Sequence, residues 1–117
     1  MRHKKKLEKL GLAHDHRKAL LKNLVSSLVI HERIRTTASR ARATAARFAR
    51  AMRVVRKKEP REAIRMMPQF VSVKEASFKL VGELKKKYEN RTSGFTRITR
   101  VGIRKGDSAA LVQIELI

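Results

Sequence analysis

GFTRITRVGIRKGDSAALVQIELI, at residues 94–117, predicts a β-hairpin, the element that makes this chain an α+β protein. Two segments rich in β-branched residues flank a short polar segment, and apolar residues alternate with polar ones along each. Such alternation is typical of strands that bury one face. The residues of the buried face are Phe95, Val101 and Ile103 on the first strand and Ala110, Val112, Ile114 and Leu116 on the second.

The predicted register of the hairpin follows from placing both sets of apolar residues on the same face. This puts Arg100 opposite Leu111 and centres the turn on Lys105 and Gly106. Gly106 is free to take a positive φ there, because it has no Cβ. Arg97 is left on the nominally buried face, which indicates a bulge, an uncovered strand end or a contact outside the core.

Upstream of the hairpin, the spacing of apolar residues predicts a helix followed by a short strand. Asp15 can cap a helix that runs to about Ile30. The apolar stripe of this helix consists of Leu20, Leu21, Leu24, Val25 and Leu28. In the next segment, HERIRTT, Ile34 is expected to point inward between Arg33 and Arg35.

A second helix is predicted from a cap at Thr37 to about Lys58. Its buried face is narrow and consists of Ala41, Ala45, Phe48, Met52 and Val55. The rest of its circumference carries Arg40, Arg42, Arg47, Arg50, Arg53, Arg56, Lys57 and Lys58. No acidic residue interrupts this set before Glu59, although a solvated helix usually mixes the two signs of charge. The pattern favours contact with an anion over a merely hydrated surface.

Two shorter helices are predicted between the second helix and the hairpin. Pro60 suits the first turn of one of them, and Pro68 is expected to stop it. Ser72 and Glu75 have the spacing of a capping box that opens the other. The buried side of that helix is predicted to consist of Val73, Ala76, Leu80 and Leu84. Phe78 falls on the opposite side.

Positive charge dominates the composition: the 117 residues include 30 Lys and Arg against 10 Asp and Glu, a formal net charge of +20. Such a chain repels itself, so the expected partner is a polyanion, most commonly a nucleic acid. Apolar residues make up 42% of the chain, which is enough to form a core. The absence of cysteine excludes disulfides and thiolate metal sites. No apolar run approaches the roughly 20 residues needed to cross a membrane.

The histidines and acidic residues predict neither a metal site nor an active site. His14 and His16 lie close in sequence, but a zinc site needs three or four ligands. His31 and Glu32 begin like a zinc-protease helix motif, yet Arg35 stands where the second histidine is required. The segment RKGDS lacks the glycine spacing of a P-loop. We therefore expect no enzymatic activity, no cofactor and no small-molecule substrate.

The residues that accompany the charge indicate which nucleic acid is bound. Single-strand binders stack bases on aromatic side chains, but this chain has only four Phe and one Tyr, most of them needed by the core. Zinc-finger spacing and a basic zipper are also missing from the sequence. The remaining mode of recognition is contact of many Lys and Arg side chains with phosphates, which suits a folded RNA. The alternatives are a DNA-binding architectural protein and, less favoured, a membrane-surface domain, since the apolar faces are committed to one another.

The order of the motifs resembles one family closely, the bacterial-type large-subunit ribosomal protein seventeen. The matching segments are MRH at 1–3, LG at 10–11, HR at 16–17, ALLKNL at 19–24, RAR at 40–42, GFTRI at 94–98, GIRKGD at 102–107 and QIEL at 113–116, with the series Leu28, His31, Ile34, Thr36 and Thr37. They span nearly the whole chain, and the motifs at its two ends are the specific ones. Ser93 stands where a second glycine is common in the family.

The resemblance implies an α+β fold, a two-layer domain of element order α-β-α-α-α-β-β with a small mixed three-stranded sheet covered by helices on one side. It also implies a structural protein of the cytoplasmic ribosome, in the large subunit, that binds ribosomal RNA near the exit of the nascent-peptide tunnel and contacts neighbouring ribosomal proteins. Residues 1–14 are expected to form a basic N-terminal tail and residues 15–117 a single globular RNA-binding domain.

Four groups of residues are predicted to bind RNA. The tail contributes Arg2, His3, Lys4, Lys5, Lys6 and Lys9. The first helix contributes His16, Arg17, Lys18 and Lys22, near a helix N-terminus whose free N–H groups also favour phosphate. The strand-to-helix corner contributes Arg35, Thr36, Thr37, Arg40 and Arg42. The hairpin contributes Arg97, Arg100, Arg104 and Lys105.

Overall fold

A computed structural model describes residues 10–117. The elements are α1 (His14–His31), β1 (Arg33–Thr37), α2 (Ala38–Lys57), α3 (Pro60–Met66), α4 (Lys74–Lys79), α5 (Lys85–Lys87), β2 (Thr96–Ile103) and β3 (Ala110–Leu116). A π-helical stretch, Leu80–Leu84, joins α4 to α5, so the three form one continuous helical segment, 74–87. The predicted α+β fold and its order α-β-α-α-α-β-β are therefore confirmed.

The three strands form one sheet in the order β1-β3-β2. Both pairings are antiparallel, so the prediction of a mixed sheet is wrong. The two outer strands do run in the same direction, but β3 separates them, and no parallel pair in the described sheet exchanges hydrogen bonds. The hairpin thus supplies both the central strand and one edge strand.

The predicted register of the hairpin is wrong by one residue. Arg100 pairs with Val112 rather than with Leu111, and a bulge between Arg100 and Gly102 shifts the pairing again on the side of the turn. The prediction assumed that β2 buries its apolar residues. As an edge strand, however, β2 is only partly covered, and Val101 is 45% exposed. The apolar pattern of this strand therefore does not determine its register.

The observed register also changes the positions of Arg97 and of the turn. Arg97 lies opposite Glu115, on the side of the sheet away from the core, so it is not a misfit on the buried face. The turn occupies residues 104–109, and its positive φ falls on Ser108 (+57°) rather than on Gly106. Ser108 therefore takes the left-handed conformation that the sequence assigned to the glycine.

One face of the sheet packs against the helices. Val112 and Ile114 of the central strand belong to the main hydrophobic core, and Ile34 and Leu116 pack against that core. Ile34 therefore points inward between its two arginine neighbours, as predicted. The helices pack against this face of the sheet, and the opposite face carries most of the polar residues of the strands.

Helix α2 has the buried face that its apolar spacing predicts. Ala41, Phe48, Met52 and Val55 are fully buried, and Ala45 is half-buried. Thr44 is also buried, and its hydroxyl donates to the carbonyl of Arg40 at 2.7 Å. Thr37 does occupy the N-cap position, but its side chain makes no capping hydrogen bond.

Two other predicted helix caps are wrong. Helix α1 begins at His14, which places Asp15 inside the first turn, where its charge favours the helix dipole without capping the end. Ser72 does not cap α4, whose N-cap position is Val73. Instead the N–H of Ser72 donates to Ser26 Oγ at 2.8 Å, and the two hydroxyl oxygens lie 3.1 Å apart. Ser72 therefore ties the start of α4 to the middle of α1.

The chain around Pro68 differs from the prediction in one respect. Helix α3 ends at Met66, before the proline, as expected. A 3-10 turn, Met67–Gln69, follows at once and includes Pro68. Proline is tolerated at this position because the first residues of a helical turn need no hydrogen-bond partner for their N–H.

Segment 74–87 keeps one side on the core over its whole length. The buried residues that share this side, spaced four apart, are Ala76, Leu80, Leu84 and Tyr88. In a regular α-helix, successive residues four apart are rotated by about 40° around the helix axis, so a row of them gradually leaves the buried side. The wider turns of the π-helical stretch Leu80–Leu84 rotate the row back toward the core. Val73 precedes the helix and is exposed, contrary to prediction, and Phe78 is 61% exposed.

Phe95 links the sheet to the helices. Its ring packs edge-on against Phe48, 6.1 Å between centroids, and against Tyr88, 5.2 Å between centroids. The Tyr88 hydroxyl donates to the carbonyl of Ile117 at 3.0 Å, and the N–H of Ile117 donates to the carbonyl of Phe95 at 3.0 Å. Burial, together with the charge of Glu32, raises the pKa of Tyr88, so the hydroxyl remains a donor even well above neutral pH.

We expect the substitution Tyr88→Phe to lower the free energy of unfolding by about 1 kcal/mol, because the carbonyl of Ile117 loses its donor while the ring packing is kept. Urea denaturation followed by circular dichroism measures this change. Phe78→Tyr is the control, since Phe78 is exposed and its substitution should stay within about 0.5 kcal/mol of the parent. Equal unfolding midpoints for Tyr88→Phe and the parent would contradict the assigned role of the hydroxyl.

Candidate nucleic-acid interface

The face of the sheet that points away from the helices carries a group of cations, and we call it the open face. It consists of Arg33 and Arg35 of β1, Arg97 and Thr99 of β2, and Gln113 and Glu115 of β3. Cross-strand pairing places Arg33, Glu115 and Arg97 in one row and Arg35, Gln113 and Thr99 in the next. The sheet thus brings together arginines that lie more than sixty positions apart in the sequence.

Glu115 is the single carboxylate among the six residues of the open face. Its oxygens lie 3.6 Å from Arg33 Nε and 4.0 Å from Arg97 Nη1. These two arginine side chains are 67% and 64% exposed, so each keeps N–H donors for a further partner. Arg35 forms no ion pair within residues 10–117. The open face therefore holds an excess of positive charge.

The predicted corner group is divided between the two sides of the sheet. Arg35 lies on the open face and Thr37 is on the same side of the sheet, whereas Thr36 pairs with Val112 on the side of the core and is half-buried. Arg40 and Arg42 are exposed on the first turns of α2. Arg33 is absent from the predicted set, although its alternation with Arg35 around the inward-pointing Ile34 is visible in the sequence.

The predicted hairpin group does not lie on one face either. Arg97 is on the open face, and Arg100 is exposed on the opposite side of β2. Arg104 is engaged within the turn, where its Nε donates to Asp107 Oδ1 at 2.9 Å. The hydrogen bonds from Arg104 hold the pKa of the Asp107 carboxyl well below its usual range. Lys105 is exposed at the tip of the hairpin.

The first-helix group lies on the first turns of α1. His16 and Lys18 are exposed, whereas Arg17 and Lys22 are half-buried. The N–H of Arg17 already donates to the carbonyl of Ala13 at 2.8 Å, so the free backbone donors of the helix end precede it. The tail residues predicted to bind RNA, Arg2, His3, Lys4, Lys5, Lys6 and Lys9, lie outside the described residues.

Helix α2 carries cations of two kinds, which its sequence pattern does not separate. Arg47 stabilises the fold: it donates to the carbonyl of Gln69 and stacks 5.7 Å above the ring of Phe70, and burial lowers the pKa of its guanidinium. Other cations of the helix line a cleft and are absent from the predicted set: Arg53, Arg56 and Lys57. In the sequence, the lack of any acidic residue along α2 was the feature that could have indicated these cations as binding residues.

The arrangement of these side chains is suited to binding phosphate. Guanidinium groups present several N–H donors in a planar fork that matches phosphate oxygens. In the part of the chain that the structure describes, no three His, Asp or Glu side chains are placed to hold a metal ion. None of the helices within residues 10–117 is long and apolar enough to span a membrane.

Comparison with known proteins points to one family. The family model of ribosomal protein L17 matches residues 20–117. The chain is 42% identical over 117 residues to large ribosomal subunit protein bL17 of Fusobacterium nucleatum, with both chains covered completely. It is 39% identical over 109 residues to the bL17 protein of Desulforudis audaxviator, which covers 93% of this chain and 96% of the relative. A third relative, from Chloroflexus aurantiacus, is 39% identical over the full length of both chains.

These matches confirm the resemblance seen in the motifs. The family model alone covers well over half of the chain, and the relatives extend the similarity to both ends. The fold, the excess of positive charge on the open face and the motif order agree with this assignment. The chain therefore belongs to the ribosomal protein L17 family.

Proposed function

We propose that this chain, a structural and non-enzymatic protein of the large ribosomal subunit, binds folded ribosomal RNA and stabilises its local fold by neutralising phosphates. The open face is the observation that carries the proposal. It presents three arginines and one carboxylate on a sheet whose other face packs against the helices, and the exposed guanidinium groups keep N–H donors for an external partner. The formal net charge of +20 supports a polyanion as that partner.

Recognition through phosphate and shape is supported by the positions of the aromatic residues. Phe48, Tyr88 and Phe95 are buried, and Phe70 packs against the core. Phe78 is the one mostly exposed aromatic side chain within residues 10–117, and it lies on α4 rather than on the open face. Base stacking, the usual means of binding single strands, therefore has no platform on the open face. Contacts with phosphates fix position and orientation on the RNA instead.

We also infer a location near the exit of the nascent-peptide tunnel in the cytoplasmic ribosome, with neighbouring ribosomal proteins as further partners. Membership of the family is what supports this inference. Cross-linking from a photoreactive residue at Lys105, at the exposed tip of the hairpin, would identify the neighbours. Cross-links confined to RNA and proteins remote from the tunnel would contradict the location.

Binding of the chain to a transcript of large-subunit ribosomal RNA should depend steeply on salt. If six to ten phosphates are neutralised, affinity should fall by about 10³ to 10⁵ between 50 and 200 mM monovalent salt. Filter binding over a salt series measures the slope. A nearly flat response would refute phosphate neutralisation. Duplex DNA of equal length is the competitor, because a DNA-binding architectural protein would be displaced by it at least as readily as by RNA.

Substitutions on the open face should change affinity in opposite directions. Arg97→Gln removes one cation and should lower the slope of log affinity against log salt by about 1. Glu115→Gln removes the carboxylate between two arginines and should strengthen binding to the same transcript. Glu83→Gln, on the exposed side of segment 74–87, makes the same change in net charge and is the control. Equal effects of Glu115→Gln and Glu83→Gln would show that only net charge matters and that the open face is not the contact.

A further inference from the structure

A cleft of about 400 Å³ opens between the C-terminal half of α2 and the loop that leads into β2. One wall carries Arg53, Arg56 and Lys57, and the other carries Thr92 and Ser93. The rest of the lining consists of Ala45, Ala49, Gly94, Phe95 and Thr96. Because α2 packs on the covered side of the sheet, the cleft is separate from the open face.

The three cations that line the cleft lack a counter-charge. The lining includes no acidic residue, and none of the three cations forms an ion pair with a carboxylate in the described part of the chain. Arg53 precedes Arg56 by three positions and Lys57 by four, so all three share one side of the helix. Like charges at this spacing destabilise a helix, and an anion between them would relieve the repulsion.

Cations that serve the fold of this chain have partners. Arg47, on the same helix, donates to the carbonyl of Gln69 and lies over the ring of Phe70. Lys79 lies 3.2 Å from a carboxylate oxygen of Glu32. The cations of the cleft have no such internal role, so their grouping is explained by a partner outside the chain.

The wall formed by the loop is held in place by hydrogen bonds. The guanidinium of Arg91 donates to the carbonyl of Gly94 at 3.1 Å, and the N–H of Arg91 donates to the carbonyl of Tyr88 at 3.0 Å. Gly94 has a φ of +68°, a left-handed conformation that glycine adopts without strain. The hydroxyls of Thr92 and Ser93 are thus carried by a loop anchored on both sides. Groups held in place before binding lose little entropy when a ligand arrives.

We propose that this cleft binds phosphodiester groups of an RNA strand, as a second contact beside the open face. The proposal rests on the proposed function, because it names a further site for the same kind of ligand. Arg53, Arg56 and Lys57 would donate charge-assisted hydrogen bonds to phosphate oxygens, and the hydroxyls of Thr92 and Ser93 would donate to phosphate or ribose oxygens. The volume is at the small end of ligand pockets and fits a short length of backbone.

The test is the salt dependence of binding of the full chain to a transcript of large-subunit ribosomal RNA. The double variant Arg53→Gln/Lys57→Gln should lower the slope of log affinity against log salt by about 2 relative to the parent. The control Arg61→Gln/Arg65→Gln removes the same charge from exposed positions of α3, outside the lining of the cleft. The control should leave the slope unchanged, and circular dichroism should confirm that both variants are folded.

A second variant acts from the opposite wall and keeps the proposal testable if the double variant fails to fold. Ser93→Asp places a carboxylate in the cleft, where it should pair with the cations, raise Tm and lower the salt slope by at least about 1. An unchanged slope in the folded variants, or an equal loss in the control, would overturn the cleft as an RNA site. A flat salt response of the parent chain would instead refute the proposed function itself.

Discussion

Phe95 lies where the two layers of the molecule meet, and its contacts determine how the sheet is placed on the helices. Its ring touches Phe48 of α2 and Tyr88 at the end of segment 74–87, and its carbonyl accepts a hydrogen bond from Ile117. Because these partners come from different parts of the chain, neither strand of the hairpin can slide along α2 without losing them. The docking of Phe95 thereby holds the hairpin against α2, and Phe95 itself lines the cleft beside that helix.

The excess of positive charge is distributed in two ways within this framework. Some cations are engaged by the fold, as Arg47 is by Gln69 and Phe70, and Arg104 by Asp107. Others lie on the open face or in the cleft, where acidic residues are few or absent from the lining. The engaged cations already have partners within the chain before any RNA is bound. On the open face one carboxylate serves three arginines, and in the cleft no carboxylate serves the three cations, so like charges repel one another in both places. A polyanion that binds these cations therefore also stabilises the folded chain.

Several elements could be predicted because their signal is local. The buried stripe of α2 repeats with the period of a helix, and two β-favouring segments flank a short polar one, so the stripe and the presence of the hairpin were predicted correctly. The hairpin register could not be predicted, because it depends on which part of β2 the helices cover. The predicted cap at Ser72 was wrong for a similar reason, because it too depends on contacts between distant segments. The Ser72 hydroxyl and N–H contact Ser26, a residue 46 positions away, and not the helix that follows.

The sequence by itself determined the order of the elements, the buried stripe of α2, the excess of positive charge and membership of the family, since each can be read from composition, periodicity or motif order. Only the tertiary structure decided which cations share a surface. Arg33, Arg35 and Arg97 come together through strand pairing, and Arg47 is drawn inward by Gln69, 22 positions away. A local pattern reports which residues of one element prefer burial, whereas the partner of a charged side chain depends on how distant elements dock.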